Sequence, residues 1–192
     1  MLDKKFFTKV RQDLLAYKEK RREVIKSCGD AQHLAKRAIF ALQRDNTGDA
    51  TRALAEAQAL LAMLAKKHQK DTRVFDEGSF KAALEEFVEA TLFYQCIQNK
   101  PLNEIKGLPV DSDTYISGLA DVPGELLRYA IKSATERKFE MARMCFVAAE
   151  DIVGEMVDMD LTGYNRQKFD QAKQSLHKLQ QIIYEISLRE IK

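Results

Sequence analysis

The sequence predicts an all-α fold, an elongated bundle of about seven helices, on three observations. Apolar residues recur at three- and four-residue steps along almost the whole chain, the spacing of a helix that buries one face. No run of strict apolar–polar alternation, the mark of a half-buried strand, is present. Glycine and proline are scarce, eight and three in 192 residues, so turns are few and elements long. Hydrophobic residues at 45% and charged residues at 31% indicate a globular chain. The length fits one helical domain over residues 1–192 with a real core.

The elements follow in order. Phe6, Val10, Leu14 and Tyr17 form the core stripe of a first helix that runs to about Ser27, with Gly29 as its C-terminal cap. Leu34, Ala38, Ile39 and Leu42 mark a second, stopped by Asn46 to Gly48. Leu54, Ala57, Leu61 and Leu64 mark a third. A fourth extends from near Ser79 to Gln98, closed by Pro101 beyond its end. A polar connection holding Pro101, Gly107 and Pro109 follows. Asp111 or Asp113 then caps a fifth helix by accepting from its free N–H groups, and that helix reaches about Glu136. A sixth covers about Phe139 to Val157, Thr162-Gly163 makes the last turn, and a seventh runs from about Asn165 to Leu188. No internal repeat or low-complexity tract interrupts them.

Charge and cysteine usage exclude several classes. The net charge is only +2, but residues 1–52 carry thirteen Lys and Arg against seven Asp and Glu. That excess is either a solvated helix face or a surface facing a polyanion, since clustered cations attract phosphate at long range. Cys28, Cys96 and Cys145 are far apart and odd in number, as expected of reduced, mostly buried thiols in a cytoplasmic protein. The start, MLDKKFFTK, is too charged for a signal peptide, and the weakly polar Ala53–Ala65 stretch is too short to span a bilayer. His33, His68 and His177 show no zinc spacing, and no phosphate-cradling glycine loop or nucleophile elbow occurs. The acids Glu150, Asp151, Glu155, Asp158 and Asp160 read as a solvated face. Met63, Phe93, Phe146 and Met156, added to the core stripes, suggest more apolar surface than one layer of helices hides, and hence self-association.

Two pairs of acids carry the chemical argument. On the fourth helix Phe80, Leu84, Phe87 and Thr91 form the core stripe. Glu86 and Glu89 stand on the other side as neighbouring carboxylates, with Ala82 and Phe93 between them in azimuth. On the fifth, Tyr115, Leu119, Val122, Leu126 and Tyr129 form the core stripe. Asp121, Glu125, Arg128 and Lys132 form a polar one, in which Asp121 and Glu125 are again a like-charge pair. Plain readings stand beside these. The first pair is a charged face on which Lys81 relieves Glu85. Glu125 pairs with Arg128, and Asp121 caps a helix restarted by Pro123. The two pairs together allow more. Helices crossing so that four carboxylates converge can hold Mg²⁺ or Mn²⁺ and leave room for water and a phosphate.

The stretch YISGLADVPGELLRYAIKSA resembles the signature of the translin family, in its Trax (translin-associated factor X) branch. KFDQAKQSLHKLQQIIYEISLR is similar to the family's closing helix, AQHLAKRAIFALQR to its second-helix segment and LEEFVEATLFYQ to its acidic central segment. The likeness is strongest from Leu84 to Arg189. It implies a seven-helix fold and closed oligomers that enclose RNA. It further implies that a Trax-like chain is the Mg²⁺-dependent endoribonuclease, whereas translin only binds nucleic acid. The family's essential acids fall on Glu86, Glu89 and Asp121, with Glu125 as a fourth. Pro123 departs from the family's small polar or aliphatic residue, and the Asn99–Asp113 connection is short where animal Trax has a long insertion. A compact prokaryotic-type member that assembles with itself, as a homo-octamer, is implied.

The expectation is therefore a cytoplasmic endoribonuclease that cleaves single-stranded or unpaired RNA. Glu86, Glu89, Asp121 and Glu125 hold Mg²⁺, with Mn²⁺ as substitute. Arg128 and Lys132 stabilise developing phosphorane charge, and Lys4, Lys5, Arg11, Lys36, Arg37 and Arg44 draw in the RNA backbone. The alternatives are a non-catalytic, translin-like binder of single-stranded RNA or DNA, and a helical scaffold with no nucleic-acid role.

Overall fold

A computed structural model describes residues 1–69 and 71–190. Among the described residues it contains seven helices and no strand. They are α1 (Lys4–Leu42), α2 (Thr47–Lys67), α3 (Thr72–Phe75), α4 (Gly78–Ile97), α5 (Ser112–Thr135), α6 (Phe139–Val157) and α7 (Gly163–Glu190). α1 packs on α2 and α4, α4 on α5, α5 on α6 and α7, and α6 on α7.

The first two expected helices are one helix of 39 residues, and Gly29 is not a cap. The buried face made by Val24, Cys28, Ala31, Ala35, Ala38 and Leu42 runs unbroken across Gly29. A glycine inside a helix costs only about 1 kcal/mol, less than the packing of that face contributes. The seventh element is instead the short α3. The expected first core stripe is also not a core: Phe6 and Leu14 are 59% and 61% exposed, and Val10 and Tyr17 are half-buried. Asp3 caps α1 by accepting from the Lys5 and Phe6 amides at 2.9 and 3.2 Å. The first described ion pair from α1 to another element is that of Asp13 with Arg73, at 3.1 Å, and residues 1–12 are exposed apart from half-buried Val10. Residues before Asp13 therefore project as an arm.

The remaining ends obey local rules. Asn46 caps α2, its Oδ1 accepting from the Asp49 amide at 3.1 Å, after a turn in which Asp45 has φ +60°. Asp111 caps α5, accepting from the Thr114 amide at 2.8 Å. α5 then runs without interruption through a buried Pro123, so Asp121 does not cap a restarted helix.

Two apolar clusters make the interior. One joins Leu42, Phe93, Leu126, Met156 and Leu179; the other joins Val24, Leu61, Leu64, Val74 and Phe80. They meet on α4, where Phe87 belongs to one and Val88 to the other. Phe93 and Met156 are thus buried within the chain and do not contribute to excess surface; Met63 stays 51% exposed. All three cysteines are free and buried, and burial pushes the Cys28 thiol up to about 11. Among the described residues no helix is long and apolar enough to cross a membrane.

Gly118 sets how closely α5 approaches α4. A Cβ there would lie 2.8 Å from the Glu85 carbonyl oxygen and 2.8 Å from Val88 Cβ. Backbone and a β-branched stem cannot step aside, so Gly118→Ala is expected to destabilise the fold by about 2 kcal/mol. A urea midpoint equal to that of the parent protein would show that the two helices are free to separate.

Candidate functional site

The close approach at Gly118 lays the next turns of α5 beside the middle of α4. Asp121 and Glu125 thereby come to the same junction as Glu86 and Glu89. The electrostatics record the convergence. Burial first, then the like charges of Asp121, Glu86 and Glu125, push the Glu89 carboxyl up to about 9 against the pull of Lys168. Burial also raises Glu86, opposed by Lys36 and reinforced by Asp121 and Glu85. Asp121 is raised by burial despite its ammonium partner.

That partner comes from α7. Lys168, only 8% exposed, donates to Asp121 Oδ2 at 2.5 Å and to Glu85 Oε1, and lies 3.4 Å from the Ser117 carbonyl oxygen. The Tyr164 hydroxyl donates to Glu85 at 3.0 Å. From α1, Lys36 stands 3.5 Å from Glu86, and Gln43 Nε2 donates to Glu125 Oε2 at 2.8 Å and to the Glu125 carbonyl at 2.9 Å. Arg128 lies 3.4 Å from Glu125 across one helical turn. No described residue donates a hydrogen bond to Glu89, which sits at the centre with no counter-charge in contact. Burial opposes the charge on Lys168, yet its bonds to Asp121 and Glu85 hold its pKa above the usual lysine value.

Glu85, Gln43, Tyr164 and Lys168 were not legible as part of this site. Lys81 was the expected relief for Glu85; the structure gives that role to Lys168 and Tyr164. Glu85 did stand in the same acidic run as Glu86, which was the one available signal. Nothing in local spacing joins Lys168 to a carboxylate 47 residues earlier.

The expected RNA-facing cations separate into four groups. Lys36 lies on the acid cluster itself. Exposed Arg37 and Arg44 line a surface hollow with exposed Phe40, over whose ring the Arg44 guanidinium lies at 5.5 Å. Arg128 is at the rim, on Glu125, whereas Lys132 is held by Asp45 at 2.6 Å in a network with the Tyr129 hydroxyl, which donates to Asp45 at 2.5 Å. Lys4, Lys5 and Arg11 stand on the projecting arm. Arg11 is 25 residues before Lys36, about 37 Å along the helix, so one chain does not bring them to its own acids.

The donor set suits a hard divalent cation, which takes carboxylate oxygen. Two ammonium groups, from Lys36 and Lys168, already rest on the cluster, so it accepts positive charge. As the side chains stand, no three carboxylates among the described residues are grouped for ion binding. Lys168 draws Asp121 towards Glu85, and Gln43 and Arg128 hold Glu125.

A seven-helix protein with a half-buried acid cluster collared by cations from α1 and α7 belongs to the all-helical proteins with a polar centre between packed helices. The translin family model matches residues 19–190, and the chain belongs to the translin family. Among solved structures it is similar to apo-NeC3PO, at 22% identity over 96% of this chain and 97% of that one, with a TM-score of 0.84. It is also similar to AfC3PO in complex with duplex RNA, at 21% identity over 97% and 98% of the two chains, TM-score 0.86. Free AfC3PO aligns at 22% identity over 97% and 99%, also with a TM-score of 0.86. At such identity these likenesses establish the shared fold. No curated protein matches the chain by sequence.

Proposed function

We propose that this chain is a Trax-like, Mg²⁺-dependent endoribonuclease, with Mn²⁺ as a substitute, which cleaves single-stranded RNA inside a closed homo-oligomer, an octamer. The carrying observation is that Glu86, Asp121 and Glu125 gather on Glu89, whose carboxyl is pushed up to about 9 by burial first and then by these three acids. Glu89 itself has no cation in contact, and strongly perturbed carboxyls gathered between packed helices are a mark of functional sites. Membership of the translin family, and a similar fold seen with duplex RNA in AfC3PO, support RNA as the partner.

Each residue has a task in this reading. Glu86, Glu89, Asp121 and Glu125 hold the cation. When bound, it supplies a water of lowered pKa and withdraws charge from a phosphoryl oxygen. Glu89 keeps its proton at neutral pH until a cation takes its place. Lys36 and Lys168 balance the surplus negative charge and hold Glu86 and Asp121 in position. Exposed Arg128 faces the phosphate at the rim, and Arg37 and Arg44 guide the backbone, with Phe40 between them as a stacking surface for a base.

The Asp121→Asn/Glu86→Gln double variant is expected to lose Mg²⁺-dependent cleavage of a single-stranded RNA by more than about 100-fold. RNA affinity measured in a chelator should stay within threefold, roughly, because the phosphate contacts are made by other residues. Cleavage at the parent rate by the purified double variant ends the nuclease reading. One observation favours a second reading, a non-catalytic binder of single-stranded RNA or DNA: Lys168 already neutralises Asp121 and Glu85. That reading expects salt-sensitive binding and no cleavage with any divalent metal.

A further inference from the structure

The apolar stripe with which α1 begins is left uncovered by the described residues. Phe6, Phe7, Leu14 and Leu15 are 59%, 44%, 61% and 56% exposed, and Val10 is only half-buried. Phe6 and Phe7 touch each other edge to face, with ring centroids 5.5 Å apart. Lys4, Lys5, Lys9 and Arg11 are interspersed with this stripe, and no described carboxylate pairs with any of them. Regular apolar spacing over nothing is the pattern of a helix that another surface covers.

A second apolar surface lies on another part of the bundle. The end of α4, the connection that follows it, α5 and α6 enclose an apolar groove of about 610 Å³. Ile116, Leu119, Val147 and Ile152 line it, and exposed Asp151 and Glu155 stand at its edge without a described cation beside them. Lys100, also at the rim, lies against the Tyr94 ring. The arm is apolar and basic, whereas the groove is apolar and edged by acid.

The two cannot meet within one chain. Arg21 of α1 pairs with Glu77 at the start of α4, and Lys36 with Glu86 further along both, so the helices run in the same sense. The arm extends backwards from Arg21, whereas the groove flanks the second half of α4: Cys96 lines it, and Ile116 and Leu119 stand either side of Gly118, which packs on Glu85 and Val88. At 1.5 Å per residue the separation is on the order of 40 Å.

We propose that residues 4–15 of one copy dock in the α4–α5–α6 groove of a second copy. Phe6, Phe7 and Leu14 face its apolar floor, and the arm's lysines face Asp151 and Glu155. The two surfaces are different patches, so a head-to-tail series of such contacts closes into a ring when the rotation permits. Lys4, Lys5 and Arg11 then serve assembly. The contact needs no RNA and no metal, so it stands or falls separately from the nuclease reading.

The test is the mass of the full-length protein by light scattering at micromolar concentration, without RNA. Phe6→Ser/Phe7→Ser/Leu14→Ser is expected to weaken association at least tenfold. Lys4→Glu/Lys5→Glu and Asp151→Lys/Glu155→Lys should each do the same. The protein carrying both charge reversals should regain the parent mass. Helicity of the variants should match the parent's, and their melting temperatures should match that of the parent diluted until it dissociates, since the assembled parent gains stability from its partner. A monomeric parent protein, a triple-serine variant of unchanged mass, or charge reversals that do not restore each other would overturn the proposal. So would arm variants that keep their mass but lose affinity for single-stranded RNA, which would make the arm an RNA contact.

Discussion

Glu89→Gln is expected to melt at a higher temperature than the parent protein at pH 8 and to cleave no RNA. The gain follows from linkage. The folded state holds the Glu89 carboxyl at about 9, far above the ordinary value of 4.5, because burial and three neighbouring acids disfavour its charge. Between those pH values the folded chain keeps a proton that the unfolded chain releases. Stability is therefore full below about 4.5 and declines as pH rises through about 9. Glutamine has the same shape and nothing to ionise, so its advantage is absent at pH 4 and grows with pH. Glu86 and Asp121 are raised by burial as well, and their contributions fall in the same direction. A rise of a few degrees, roughly, is expected at pH 8. Melting curves at pH 5 and pH 8 in a chelator decide it. Mn²⁺ should raise the parent's midpoint and barely move that of the variant, because a ligand stabilises only the state that binds it. Equal midpoints at pH 8, or a wider gap at pH 5, would show that Glu89 is not the crowded group described here.

Lys168→Met should have the opposite effect, a loss of about 2 kcal/mol at pH 8. A fully buried pair that loses one partner costs about 3–5 kcal/mol. The Asp121 and Glu85 side chains retain 30% and 22% exposure, so water takes up part of the lost interaction. The loss should shrink as pH falls, since the stranded carboxyls then accept protons. Lys168 itself stays charged throughout, its pKa lying above the usual lysine value. Adding Asp121→Asn to Lys168→Met should return part of the stability, because one of the two stranded charges is gone. Urea unfolding at pH 5 and 8 measures both. A methionine variant as stable as the parent would mean that the bridge from α7 contributes nothing.

How much of this was legible beforehand differs from element to element. The stripes of α4 and α5 were readable because burial of Phe80, Leu84 and Phe87, or of Leu119, Val122 and Leu126, is a property of one helix face. The end of the first helix was misread because a lone glycine is a weak signal beside a continuous packed face. The Phe6–Leu14 stripe was read correctly as amphipathic and wrongly as core. Periodicity says that a face is apolar but not whether the same chain covers it.

By itself the sequence determined the helical class, the family likeness and the two acid pairs, Glu86 with Glu89 and Asp121 with Glu125. These are local patterns, expressed within a few turns of one helix. Only the tertiary structure decided that the pairs meet, that burial and neighbouring acids raise the Glu89 carboxyl and that Lys168 is the counter-charge. Each of those rests on burial and on contacts such as Lys168 with Glu85, 83 residues apart, which no periodicity along a single helix encodes.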